Sequence, residues 1–173
     1  QYGSDGSQQL PPVTFGYQDV ASGTFVDSIQ WIVPRIGIDQ RGFLRDGGGD
    51  YGTRLADVNG DGFTDIMHAF GTDVVNQWQT YINDGLAGTF HVTGDWMLPG
   101  GPGGIQNGGF VRGNSSDNGV RIADVNGDGL VDVMWAYGSS MSQRHMYLND
   151  LPNKGFTSTS SWRWQNLVGD GGF

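Results

Sequence analysis

One segment of this sequence occurs twice. Residues 54–67 read RLADVNGDGFTDIM and residues 121–134 read RIADVNGDGLVDVM, so equivalent positions lie 67 residues apart. An internal repeat constrains the fold more than any other feature, because each copy must adopt the same local structure and neighbouring copies bury each other's apolar faces. We therefore interpret the chain as a series of tandem structural units.

The repeat extends beyond this segment in both directions. Tyr81–Asp84 matches Tyr147–Asp150, and Trp31–Pro34 resembles Trp96–Pro99, which indicates a third, weaker copy upstream. The predicted organisation is a partial repeat without the repeated loop at 1–50, a full repeat at 51–117, and a repeat truncated at its end at 118–173. We expect a segment of a longer array, and a complete protein with atypical terminal repeats is the alternative.

Each unit contains four short runs rich in Val, Ile, Tyr, Phe and Trp, separated by the turn-forming residues Gly, Asn and Asp. No run has a helical period, and the 31 glycines fit many turns. Four strands per unit is the number found in a propeller blade, so we predict an all-β fold of tandem four-stranded antiparallel, propeller-blade-like repeats. The predicted strands are Thr53–Ala56, Asp65–Phe70, Gln77–Ile82 and Thr89–Met97, then Val120–Ala123, Asp132–Tyr137, Arg144–Leu148 and Phe156–Trp164.

The repeated segment carries oxygen ligands at alternate positions, which is typical of a calcium loop. Calcium takes six to eight oxygens from carboxylates, amides and backbone carbonyls, and glycines between the ligands let the backbone curl around the ion. Two Ca²⁺ sites are therefore predicted. The first would use Asp57, Asn59, Asp61, the Phe63 carbonyl and Asp65; the second would use Asp124, Asn126, Asp128, the Leu130 carbonyl and Asp132.

Two other structures could carry a similar pattern. An EF-hand needs a glutamate at position twelve and flanking helices, but position twelve is His68 in one loop and Trp135 in the other, so the EF-hand is rejected. An Asp- and Asn-rich turn without a metal remains the other alternative, although two full copies of a nine-residue ligand pattern favour a cation.

The loop followed by a β-like run resembles the FG-GAP or VCBS calcium repeat, the blade family of integrin α-subunit propellers, fungal propeller lectins and bacterial surface proteins. The resemblance is close over residues 54–67 and 121–134 and holds elsewhere only in pattern. It implies propeller-blade units and these calcium ligands: Asp57, Asn59, Asp61, Asp65, Asp124, Asn126, Asp128 and Asp132.

Composition and motifs exclude several functions. A net charge of −9 with scattered Lys and Arg leaves no basic patch for nucleic acid, and no apolar run is long enough for membrane insertion. The absence of cysteine removes thiol catalysis and zinc–thiolate sites. His68, His91 and His145 occupy different positions of the repeat, and no nucleophile or phosphate-loop motif occurs, so we predict that the chain is not an enzyme.

The predicted function is a calcium-binding extracellular structural repeat of a longer surface, adhesion or fibre-forming protein. The alternative is a propeller-type lectin or receptor-binding module. Expected partners are further copies of the repeat or of the chain itself, with carbohydrate or a cell-surface protein as further candidates. Trp31, Trp96 and Trp162 recur at equivalent places, which favours a core role over a sugar platform. Asn114 begins a glycosylation triplet.

Overall fold

The chain forms two small antiparallel sheets. The computed structural model describes residues 32–36, 42–71, 78–100, 105, 109–138 and 144–159. Over those ranges the fold is all-β, with two four-stranded sheets whose strands follow one another in chain order. The first sheet contains β1 (Thr53–Ala56), β2 (Asp65–Ala69), β3 (Trp78–Asn83) and β4 (Phe90–Thr93); the second contains β5 (Val120–Ala123), β6 (Asp132–Ala136), β7 (Arg144–Asp150) and β8 (Gly155–Ser158). The predicted all-β class and the four-stranded antiparallel units are confirmed.

The strand ends differ from the prediction where turns intervene. The fourth strand was predicted over Thr89–Met97, but β4 ends at Thr93 because the chain turns there and Trp96 adopts a positive φ of 49°. Short 3-10 turns, Gly85–Ala87 and Leu151–Asn153, follow β3 and β7, although no helical turn was predicted. Most of the predicted third copy, including Trp31, and the end of the Phe156–Trp164 strand lie outside the described residues.

Each unit begins with the same small clamp. The Asp50 carboxylate accepts the Gly52 N–H (2.7 Å) and a bond from the Arg54 guanidinium (2.8 Å). The Gly52 carbonyl then accepts the Ala69 N–H (2.9 Å), which extends the pairing of β1 with β2. The same contacts occur in the second unit, 67 positions later, at Asp117, Gly119, Arg121 and Ala136. The clamp was not recognised in the sequence, although its residues recur at the repeat spacing.

The two sheets share one hydrophobic core. Trp78 and Ile82 of β3 belong to the same cluster of buried residues as Val133 and Tyr147 of the second sheet. Trp96, which is 7% exposed, lies in this cluster and agrees with the core role predicted for it. Burial of apolar surface stabilises by about 25 cal/mol per Å², so neither unit would keep this stabilisation alone.

Equivalent faces of the two sheets are covered to different extents. Ala56 and Met67 of the first sheet are buried, whereas their equivalents Ala123 and Met134 in the second sheet are exposed and half-buried. The covering layer on the first sheet is the second unit itself, since both contribute to the shared core. The described part of the chain provides no such layer for the second sheet.

A buried histidine lies on the opposite face of β2. His68 is 2% exposed, its ring packs 4.5 Å from that of Tyr51, and Nδ1 lies 3.3 Å from the Thr53 hydroxyl. Burial lowers the pKa of His68 from 6.5 to about 4, and the negative charge of Asp50 opposes this only in part. The imidazole is therefore neutral in the folded protein at neutral pH.

The lowered pKa of His68 predicts acid sensitivity. Between pH 6.5 and pH 4 the unfolded chain binds a proton that the folded chain does not, so stability falls as the pH falls. From pH 7 to pH 5 this loss should be about 2 kcal/mol. Urea unfolding of the wild type and of His68→Gln at pH 7 and pH 5 measures this loss. It is the decrease in unfolding free energy that the wild type shows between the two pH values in excess of the decrease in the variant. Parallel pH profiles for the two proteins would contradict the prediction.

Candidate metal centres

The first loop, residues 57–65, joins β1 to β2 and is curled around the carboxylate of its first residue. Asp57 Oδ1 accepts the N–H groups of Gly60 (2.7 Å) and Asp61 (3.2 Å), and Oδ2 accepts the N–H of Gly62 (2.8 Å). Gly60 and Gly62 have φ of 74° and 87°, a left-handed conformation that residues with a Cβ rarely adopt. The alternating glycines thus allow consecutive amides to converge on one carboxylate.

The middle of the loop is held by a side-chain pair. Asn59 Nδ2 donates to Asp61 Oδ2 (2.9 Å), while the Asp61 N–H donates back to Asn59 Oδ1 (3.0 Å). The other Asp61 oxygen accepts the Phe63 N–H (2.8 Å). Asp61 is exposed, so its carboxylate can exchange these bonds for a cation without leaving a buried group unpaired.

The last residue of the loop is a fully buried carboxylate. Asp65 is 0% exposed and accepts the N–H groups of Val58 (3.0 Å) and Asn83 (2.8 Å), which fixes the loop to the start of β2 and the end of β3. Burial raises the pKa of Asp65 to about 6, and the charges of Asp61 and Asp57 add to the rise, together outweighing the two amide bonds. Three carboxylates therefore lie close enough to interact electrostatically.

The second loop repeats this arrangement. Asp124 accepts from Gly127 (2.7 Å) and Gly129 (2.9 Å), and these amide bonds hold its pKa below the ordinary value. The other equivalent bonds are Asn126 Nδ2 to Asp128 (2.8 Å), Asp128 N–H to Asn126 Oδ1 (2.9 Å), Leu130 N–H to Asp128 (2.8 Å), Val125 N–H to Asp132 (3.1 Å) and Asn149 N–H to Asp132 (2.8 Å). Asp132 is likewise 0% exposed. Two copies with distances this similar indicate one geometry dictated by one sequence pattern.

The loop oxygens are directed at backbone amides rather than at a common point. Within the described ranges, no group of three or more His, Cys, Asp or Glu side chains has an arrangement that could hold a metal ion. In the first loop, Asp57 faces the amides of Gly60 and Gly62, and Asp65 faces inward to Val58 and Asn83. The predicted ligands are thus assembled on one short loop in each unit, with their carboxylates occupied by N–H donors.

The asparagine near the C-terminal end of each third strand was not predicted to support the site. Asn83 and Asn149 hold the buried carboxylates of Asp65 and Asp132 through their backbone amides. The sequence signal is the shared Tyr-x-Asn-Asp motif, which by itself indicates only that the repeat continues. Asn114 lies in an exposed turn, where its side-chain oxygen accepts the Ser116 N–H (3.1 Å); its glycosylation stays a prediction.

Comparison with known proteins adds nothing to the geometry of the two loops. Comparisons with protein-family models, curated proteins and solved structures found no match. The two units can therefore be compared only with each other. No helix in the part of the chain that the structure describes is long and apolar enough to cross a membrane.

Proposed function

We propose that this chain is a calcium-binding structural repeat in which Ca²⁺ stiffens the two strand-connecting loops. The observation that carries the proposal is the buried carboxylate at the end of each loop, Asp65 or Asp132; at Asp65 the charges of Asp61 and Asp57 of the same loop act on it. Burying one charge beside two like charges is unfavourable, and a divalent cation reverses the sign of that interaction.

The residues fit calcium better than other metals. The side chains of each loop offer only oxygen, from three carboxylates and one amide, which suits a hard cation and excludes thiolate or imidazole ligation. Asp57, Asn59, Asp61 and Asp65 would hold the ion in the first loop, with the Phe63 carbonyl; Asp124, Asn126, Asp128, Asp132 and the Leu130 carbonyl would do so in the second. When bound, the cation neutralises the carboxylates that otherwise repel one another.

The packing of the units supports a role in an array. The first unit buries one face against the second through the shared core, and Ile36 packs on Ile66 and Tyr81 at its other face. A further copy of the unit would cover the second sheet as the second unit covers the first. We therefore propose propeller-blade-like units whose partners are further copies, in a longer surface, adhesion or fibre-forming protein outside the cell. Extracellular modules bind calcium at roughly 10⁻⁴–10⁻³ M, a range that an exposed loop suits.

The lectin or receptor-binding alternative lacks a supporting observation. A sugar platform needs an accessible aromatic face. Trp96 is buried in the core between the sheets, and its Nε1–H donates to Asn149 (3.3 Å). Trp31 and Trp162 lie outside the described residues.

Calorimetric titration of the chain tests the proposed function. The wild type should bind two Ca²⁺ ions, and Asp61→Ala or Asp128→Ala should each remove one strong site, because each variant lacks one exposed carboxylate of one loop. Mg²⁺ is the control cation and should bind far more weakly, since it requires a tighter octahedral shell. A wild type without calcium heat, or two unchanged sites in either variant, would overturn the proposal.

A further inference from the structure

One side chain touches both loops. The Asn149 carboxamide donates from Nδ2 to the Val58 carbonyl of the first loop (2.8 Å) and to the Val131 carbonyl of the second (3.2 Å). Its Oδ1 accepts the indole N–H of Trp96 from the first unit (3.3 Å). Both amide hydrogens and the oxygen are thus engaged, which fixes the orientation of the carboxamide between the two units.

The contacts of Asn149 lead directly to both buried carboxylates. Val58, whose carbonyl receives the Asn149 bond, donates its own N–H to Asp65 (3.0 Å). The backbone N–H of Asn149 donates to Asp132 (2.8 Å). A continuous series of hydrogen bonds therefore joins the closing carboxylate of one loop to that of the other.

A second, apolar contact joins the loops independently of Asn149. The Leu130 side chain of the second loop lies over Gly60 of the first, so close that a Cβ at Gly60 would stand 2.7 Å from Leu130 Cδ2. Gly60 is also one of the amides that Asp57 gathers. Displacement of the second loop would thus reach the curled part of the first.

The equivalent asparagine of the first unit offers a matched comparison. The Asn83 carboxamide donates to the Thr64 carbonyl (3.1 Å), as Asn149 does to Val131, but its Oδ1 accepts the Gly85 N–H of its own unit (2.9 Å). Within the ranges that the structure describes, the Asn83 side-chain bonds stay inside the first unit. Of these two equivalent asparagines, Asn149 alone has a side chain that bonds across to the other unit.

We infer that Asn149 is a positioning residue that couples the two loops, so that order at the second loop supports order and calcium affinity at the first. The calcium part of this inference rests on the proposed function; the coupling of loop order does not. Coupling of this kind is reciprocal and changes affinity by about fivefold or more.

Amide hydrogen exchange in EGTA tests the coupling without calcium. In Asn149→Ala the amides of Val58, Gly60 and Gly62 should exchange about tenfold faster, while amides of β2 and β3 keep their protection. In the control Asn83→Ala the second-loop amides, Gly127 and Gly129, should be unchanged. Unaltered first-loop exchange in Asn149→Ala would overturn the inference. General loss of protection would call for Asn149→Leu, which keeps the side-chain volume and the backbone N–H bond to Asp132 but removes both side-chain donors, and should give the same pattern; no first-loop change there would also overturn it.

Calorimetry then tests the coupling of affinities. Asp128→Ala, which disables the second loop, should weaken calcium binding at the first loop about fivefold when Asn149 is present and less than about twofold in Asn149→Ala. An equal effect in both backgrounds would overturn the coupling of affinities. Absence of calcium heat in every variant would refute the proposed function and the coupling of affinities together, while the exchange experiment would still decide whether Asn149 couples the loops.

Discussion

Calcium should raise the melting temperature of this chain by roughly 6–12 °C over its value in EGTA. At ten times the dissociation constant each site adds about 1.4 kcal/mol, so two sites add about 3 kcal/mol, and a chain of this size shifts by about 2–4 °C per kcal/mol. The physical reason is the charge on each loop. Asp65 is buried beside Asp57 and Asp61, and a bound cation replaces their mutual repulsion by attraction.

The measurement is a calorimetric or circular-dichroism melt in EGTA, in excess Ca²⁺ and in excess Mg²⁺ at matched ionic strength. The double variant Asp61→Ala/Asp128→Ala is the matched control. Both changes are at exposed carboxylates, so the variant should melt near the wild-type temperature in EGTA and respond little to calcium. Equal wild-type melting temperatures in EGTA and calcium would refute calcium as a structural component of this chain.

Gly119→Ala should destabilise the second unit by about 3 kcal/mol. Gly119 has a φ of 74°, and a Cβ there would lie inside contact distance of the Ala136 carbonyl oxygen, which is backbone and cannot move aside. A left-handed alanine costs about 1–2 kcal/mol, and the overlap adds about 1–3 kcal/mol. Gly52 has the same conformation, and a Cβ there would meet the Ala69 carbonyl oxygen, so Gly52→Ala should match it in the first unit.

Gly94→Ala is the control for the steric argument, because a Cβ there would meet nothing within 4 Å and Gly94 does not adopt a positive φ. Its change in unfolding free energy should stay within about 0.5 kcal/mol. Urea unfolding of the three variants gives all the values needed. If Gly119→Ala were as mild as Gly94→Ala, the backbone contact described between Gly119 and Ala136 would be absent in solution.

The sequence repeat was enough to predict the positions of many strands, because segments that recur in the sequence must recur in the structure. β1 and β5 begin and end where the composition predicted, since each lies between a glycine and a loop of Asp and Asn. The position of each loop between two strands could also be predicted, because the spacing of Asp and Gly that marks the loop is a local pattern in the sequence. Local patterns of this kind can be recognised without knowledge of the rest of the chain.

Contacts between units could not be obtained in this way. The bond from Asn149 to Val58 joins residues that are 91 positions apart, and no local pattern specifies such a pair. The end of β4 was missed for a related reason: Trp96 turns away from the strand into the core between the sheets, a tertiary preference that overrides its β propensity. Gly119 looked like any other glycine, because only the neighbouring carbonyl makes it irreplaceable.

The two units also differ in a way that keeps them distinguishable to the folding chain. At one pair of adjoining positions the first unit has Tyr51 and His68, and the second has Asn118 and Trp135, whose indole N–H donates to the Asn118 carbonyl (3.0 Å). A large and a medium side chain are thus exchanged for a small and a very large one, with the total volume roughly kept. If β1 and β5 exchanged places together with the residues that precede them, Tyr51 would meet Trp135, which overfills the space, and Asn118 would meet His68, which leaves a void. Near-identical neighbours risk exchanging strands during folding, and this complementary pair penalises the exchange in both directions.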